Sequence, residues 1–181
     1  MTTVERLQRT ADYGEFLNDG LEGRYCGYRM DLTGYIKRHW WSAAVPQYHF
    51  QLDHLKPLTF KAGVKTATVL GVPSGTLIQP CKYYNSDWGS VPSFLWWMYA
   101  PERFISWLFH DSAYEFHYVW ICLPDGAIWK KLPITRAQAD WAFCDYGLRA
   151  QDGTARDAAV VFNAVNLAGW AVWPKPACRL V

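Results

Sequence analysis

The sequence predicts an α+β fold: a small antiparallel β unit followed by a three-helix core, preceded by an N-terminal helix and an aromatic arm. Three observations predict it. Residues 58–78 hold short β-prone runs separated by Ala62-Gly63 and Pro73-Ser74-Gly75. Residues 101–173 hold three stretches of helical spacing. The helices are grouped after the strands instead of alternating with them, which argues against a parallel βαβ sheet.

At 181 residues, against a prior of ~150 residues per domain, the chain is expected to form one globular unit with an appendage. We divide it into residues 1–57, a helix and irregular arm, and residues 58–181, one α+β domain. Apolar residues are 51% and charged residues 19%, which excludes a disordered chain. The 11 Trp, 11 Tyr and 9 Phe exceed what a core of this size needs and point to a surface that meets a partner. Net charge is +2, and the longest basic runs are Lys37-Arg38 and Lys130-Lys131, so no nucleic-acid footprint is expected. Charges fall where a secretion signal needs apolar residues, and no run approaches ~18 apolar residues, so neither a leader nor a membrane span is expected. Cys26, Cys81, Cys122, Cys144 and Cys178 are odd in number and lack Cys-x-x-Cys spacing, which suits free thiols made in a reducing cytoplasm.

Thr3 to Asn18 has helical spacing, with Thr3 as cap and Val4, Leu7, Ala11, Phe16 and Leu17 toward one side. Gly20 to Lys56 scatters aromatics among glycines and charges, and reads either as an irregular docking arm or as first strands with aromatics on both faces. Leu58–Lys61, Thr66–Val72 and Thr76–Ile78 read as strands. Tyr83 to Pro92 is a loop rich in Asn, Asp, Ser, Gly and Pro. Pro101 at a first helical position with Glu102 beside it opens a helix to Tyr118, its apolar stripe being Phe104, Trp107, Leu108, Tyr114 and Tyr118. Leu123-Pro124-Asp125-Gly126 is a turn between extended stretches. Thr135 with Gln138 is a capping box opening a helix to Arg149. Asp152 or Thr154, with Asp157 in the first turn, opens a third helix to Trp173, apolar on nearly all sides and expected to be buried; Pro174 and Pro176 stop it.

Chemistry concentrates in His110-Asp111-Ser112-Ala113-Tyr114. His110 and Tyr114 are four apart and share a helix face with Trp107, while Asp111 is turned ~100° away, toward Glu115. A short connection makes the next helix an antiparallel neighbour, which brings Asp140 within reach of His110. A carboxylate on one imidazole nitrogen fixes the tautomer and leaves the other as a general base. His110, Asp140 and Tyr114 are therefore the candidate catalytic residues. Asp111 and Asp87, with oxygens of the Ser86–Ser90 loop, are candidate holders of calcium or magnesium. The same spacing equally predicts a hydrogen-bonded clamp between two helices. Ser90 lacks a nucleophile elbow, Cys122 and Cys144 have no basic neighbour in sequence, and His54 and His117 offer no zinc spacing with His110.

Gly71-Val72-Pro73-Ser74-Gly75, Ser86-Asp87-Trp88-Gly89-Ser90-Val91-Pro92, His110-Asp111-Ser112-Ala113-Tyr114 and Thr135-Arg136-Ala137-Gln138-Ala139-Asp140 resemble, in order, the motifs of the phage-associated family known as domain of unknown function 1353. The likeness covers residues 58–173. It implies a bacteriophage protein, in or near the tail or lysis apparatus, made in the host cytoplasm and carried in the virion. His110, Asp111, Tyr114 and Asp140 also resemble the active-site helices of calcium-dependent secreted phospholipases. There the histidine is the base, its neighbour holds calcium and the later aspartate orients the ring. The flanking cysteines and Gly-rich calcium loop of those enzymes have no counterpart here.

Two functions follow as expectations. The first is a virion component, in the tail or an accessory position, that docks on other virion proteins through its arm, as part of an oligomer or alone. The second is a metal-assisted hydrolase of a lipid or cell-envelope ester using His110 and Asp140.

Overall fold

The structure, a computed structural model, describes residues 2–17, 28–31, 49–52, 58–81, 85–86, 105–151 and 153–172; at 28–31, 49–52, 85–86 and 167–172 only the backbone is described. It is of the mixed α+β class, built on a five-stranded antiparallel sheet.

Helix α1, Thr3–Tyr13, starts one residue earlier than its spacing suggests, because the Thr2 hydroxyl accepts from the Glu5 N–H while Glu5 accepts from the Thr2 N–H. It ends at Gly14, whose φ of +114° only glycine adopts without strain. A Cβ there would lie 2.3 Å from the Lys61 carbonyl oxygen. Gly14 thus lets the chain turn directly from α1 into strand β1, Gly14–Phe16. The apolar stripe of α1 points outward: Val4 is 75% and Leu7 66% exposed, and no residue of the helix is buried.

Strand β1 pairs antiparallel with β4, Phe60–Ala62, so the first residues belong to the same sheet as the rest. Next come β5, Leu77–Gln79, β7, Tyr118–Cys122, and β8, Lys130–Pro133, in the order β1-β4-β5-β7-β8. Register places Phe16 beside Phe60, Phe60 beside Ile78 and Ile78 beside Ile121, an apolar row across four strands. Within the 20–56 region the described residues include β2, Tyr28–Asp31, and β3, His49–Leu52, which with β6, Asn85–Ser86, make a second antiparallel sheet, so part of the predicted arm is strand. The rest of the arm and Asp87 lie outside the described residues.

One predicted strand is a helix. Val64–Leu70 forms α2, held between Gly63 and Gly71, the latter left-handed at φ +69°. The β-branched run favours a strand locally. Helical spacing instead turns Thr66, Ala67 and Leu70 inward together, and Thr66 donates to the Tyr13 carbonyl at 2.6 Å. Burial decides against propensity here.

Helix α3, Ser106–Phe116, is shorter at its C-terminal end than the spacing suggests: His117 adopts the left-handed conformation at φ 60° and donates its N–H to Ala113, releasing Tyr118 into β7. Residues 101–104 are outside the described residues. β7 and β8 flank the turn at 123–126 as expected. The helix opened by Thr135 begins with α4, Arg136–Ala139, runs as a π-helix over Asp140–Tyr146 and resumes as α5, Gly147–Ala150. Helix α6, Ala155–Val172, starts at Thr154, whose side chain and N–H exchange hydrogen bonds with Asp157. Over 155–166 it is not buried on all sides as expected: only Ala158 and Val161 are buried, because one face packs on the π segment and the rest meets solvent.

The core lies between the sheet and α3 with the π segment. Phe16, Phe60 and Phe109 meet with ring centroids 4.6–6.3 Å apart, and Phe109 stacks on Phe143 at 5.4 Å. Each such ring contributes about 1.5–3 kcal/mol by leaving water. Among the described residues no helix is long and apolar enough to cross a membrane.

Candidate functional site

The site is set by the start of one helix and the spacing along another. The Thr135–Gln138 capping box fixes where the second helix begins, with the Gln138 N–H donating to Thr135 Oγ1 and the Thr135 N–H donating to Gln138 Oε1. That phase puts Asp140, first residue of the π segment, against α3. On α3, Trp107, His110 and Tyr114 follow one another at one-turn spacing.

Sequence spacing placed His110 and Asp140 together, and they meet: Nε2 lies 3.0 Å from Asp140 Oδ1. The Tyr114 hydroxyl donates to the same oxygen at 2.6 Å. The His110 and Tyr114 rings lie 4.1 Å apart, and the Trp107 ring stands edge-on to His110 at 6.2 Å. The cluster is enclosed, with His110 5%, Asp140 1% and Trp107 4% exposed. Asp111 is not turned aside: its Oδ1 lies 3.6 Å from His110 Nδ1. Asp87 is outside the described residues, and among those described no group of three His, Cys, Asp or Glu is placed to hold a metal.

Cys144, the first turn after Asp140, is the member that sequence reasoning missed. It is 1% exposed and interacts with the His110 imidazole. The signal was present, since residues four apart tend to share a helix face, but a basic neighbour 34 positions away in sequence has no local trace. Burial pushes the Cys144 thiol up, against the pull of His110. Burial alone lowers the His110 imidazole; Cys144 and the carboxylates Asp111 and Asp140 outweigh that and hold it well above its ordinary value. Burial, then the hydrogen bond to Asp140, push the Tyr114 phenol far above its usual range, leaving it a donor at every ordinary pH.

The chain matches no protein-family model, no curated protein and no solved structure.

The functional reading therefore rests on the residues themselves. A general base needs one imidazole nitrogen open to a substrate. Here Nε2 is taken by Asp140 and Nδ1 faces Asp111, and the Trp107 ring stands edge-on to the imidazole. Arg136 reaches α6, donating to the Asn166 carbonyl at 3.2 Å and to its Oδ1 at 3.3 Å. These bonds tie helix to helix.

A second node was not legible at all. The Tyr13 hydroxyl, at the end of α1, accepts from Lys65 Nζ and Arg149 Nη1, both at 3.3 Å. Lys65 pairs with Asp12 at 3.0 Å and Arg149 with buried Asp145 at 2.7 Å. One phenol thereby joins α1, α2 and α5.

Proposed function

We propose that this chain is a bacteriophage virion-associated protein, a tail or accessory structural component docking on other virion proteins, whose His110–Asp140–Tyr114 network is an internal clamp. The enclosure of His110 and Asp140 carries the structural half of this reading. A hydrolase must admit an ester to its base, and a ring 5% exposed with both nitrogens turned to carboxylates admits none. The four ordered motifs quoted above support the phage half. The outward apolar stripe of α1, Val4 and Leu7, accords with a chain that meets neighbours. Cys81, Cys122 and Cys144 are free buried thiols, which accords with synthesis in the host cytoplasm.

Mass spectrometry of purified virions of the phage that encodes the chain tests this. The chain is expected at a copy number comparable to other tail proteins; a virion without it overturns the proposal. An esterase activity on phospholipid or envelope ester, abolished in a folded His110→Gln protein, would favour the hydrolase instead.

A further inference from the structure

We propose that the tip of the β7–β8 hairpin docks on the surface of an anionic lipid membrane, with Ile128 entering the headgroup layer, Trp129 at its boundary and Lys130 and Lys131 meeting lipid phosphates. The proposal goes beyond the virion reading and does not depend on it.

Ile128 is 82% exposed, more than any other large apolar side chain among the described residues. It is not isolated: Pro124 and Ala127 are exposed and Leu123 and Trp129 half-buried, so the connection between the strands is an apolar end. That end is held in shape. The Gly126 N–H donates to the Leu123 carbonyl at 3.0 Å, and the Cys122 thiol donates to the Gly126 carbonyl at 3.1 Å. Pro124 lies against the neighbouring turn, 3.6 Å from where a Cβ on Gly75 would stand, and that turn adds half-exposed Val72 and exposed Pro73. A tip ordered before contact loses little freedom on binding.

The order of residues from the tip inward matches the layers of a membrane surface. Ile128 is followed by Trp129, whose ring is apolar and whose N–H is polar, the character of side chains found at headgroup level. Lys130 and Lys131 come next, both exposed. At ~3.3 Å per residue the run spans about 10 Å, the depth over which a surface-bound apolar segment meets headgroups.

Charge selects the kind of surface. Among the described residues neither lysine is in an ion pair. Lys131 Nζ stands over the Tyr118 and Trp120 rings, at 4.5 and 5.4 Å, which orients the ammonium and leaves its charge intact. Asp125, in the tight turn, is the one acid between Leu123 and Lys131. Size selects lipid over protein. A specific protein interface covers about 800 Å² on each partner, more than one hairpin tip offers, whereas lipid takes up a single projecting side chain without a shaped pocket.

Cosedimentation of the whole chain with vesicles tests this. The chain is expected to pellet with phosphatidylcholine vesicles containing phosphatidylglycerol, to stay in solution with phosphatidylcholine alone, and to bind less as salt is raised. Ile128→Ser is expected to weaken binding about ten-fold, and Lys130→Gln and Lys131→Gln about five-fold each. These side chains are exposed, and thermal melts of each variant verify that it is folded. Leu7→Ser, on the outward stripe of α1, is expected to leave binding unchanged. A chain that ignores anionic vesicles overturns the proposal, and a tip made for an acidic protein would give that result. Binding that survives Ile128→Ser, or that Leu7→Ser removes instead, overturns it equally.

Discussion

Nε2 of His110 and Oδ1 of Asp140, residues 30 apart in sequence, stand 3.0 Å apart across two helices, and the Tyr114 hydroxyl closes on the same oxygen. Removing the shared acceptor strands a buried cation and a buried phenol together. Asp140→Ala is expected to cost about 3–5 kcal/mol, the range for breaking a buried ion pair from one side. Tyr114→Phe removes one bond to a charged acceptor and is expected to cost about 1.5–3 kcal/mol. Urea unfolding of the two variants against wild type checks both the sizes and their order.

The Tyr13 node predicts a different hierarchy. Arg149→Ala leaves the carboxylate of Asp145, 4% exposed, without its 2.7 Å partner and is expected to destabilise the chain far more than Tyr13→Phe. After Tyr13→Phe, Lys65 and Arg149 keep Asp12 and Asp145. Chemical denaturation of the two variants ranks them, and equal losses would mean that the phenol and not the ion pair holds α5.

Acid should loosen α1 before the core. The hydrogen bond from Lys65, helped by Gln8, holds the Asp12 carboxyl below 3.8, against a smaller effect of burial. A depressed carboxylate stabilises above its unfolded value, and that contribution is lost as pH falls through the folded one. Amide exchange as the solution is acidified is expected to show protection lost over Thr3–Tyr13 while Phe109 and Phe143 remain protected.

Two glycines with positive φ separate strain from space. Gly71, φ +69°, has nothing within 4 Å of an added Cβ. Gly71→Ala is expected to cost ~1–2 kcal/mol, the backbone term alone. Gly14→Ala adds overlap with the Lys61 carbonyl at 2.3 Å and with Gly63 at 2.8 Å, so it is expected to break the β1–β4 pairing. Calorimetric melts that put the two variants together would contradict this.

Apolar side chains on α1 and in the core should respond in opposite ways. Phe143→Ala empties a site that is 1% exposed and is expected to cost about 3–5 kcal/mol. Leu7→Ser, at 66% exposed, is expected to change stability by less than about 0.5 kcal/mol. A large loss in Leu7→Ser would mean that α1 is buried in an oligomer of the chain.

Local signals along the chain determined much of this protein. The capping box at Thr135–Gln138, the turn at 123–126, the four-residue spacing of His110 and Tyr114 and the reach of Asp140 are short-range features, and each stands where its residues put it. Tertiary structure decided the rest, because burial is shared among distant segments. It made Val64–Leu70 a helix against its β-branched composition, so that Thr66, Ala67 and Leu70 could face inward together. It turned Val4 and Leu7 outward, since Tyr13 holds the polar side of α1 to Lys65 and Arg149. It opened a π-helical turn inside a helix whose ends were predictable, and so brought Cys144 to His110. Hydrogen bonds within a few residues are written in local order along the chain; which face is enclosed, and by what, depends on atoms that sequence distance does not bring near.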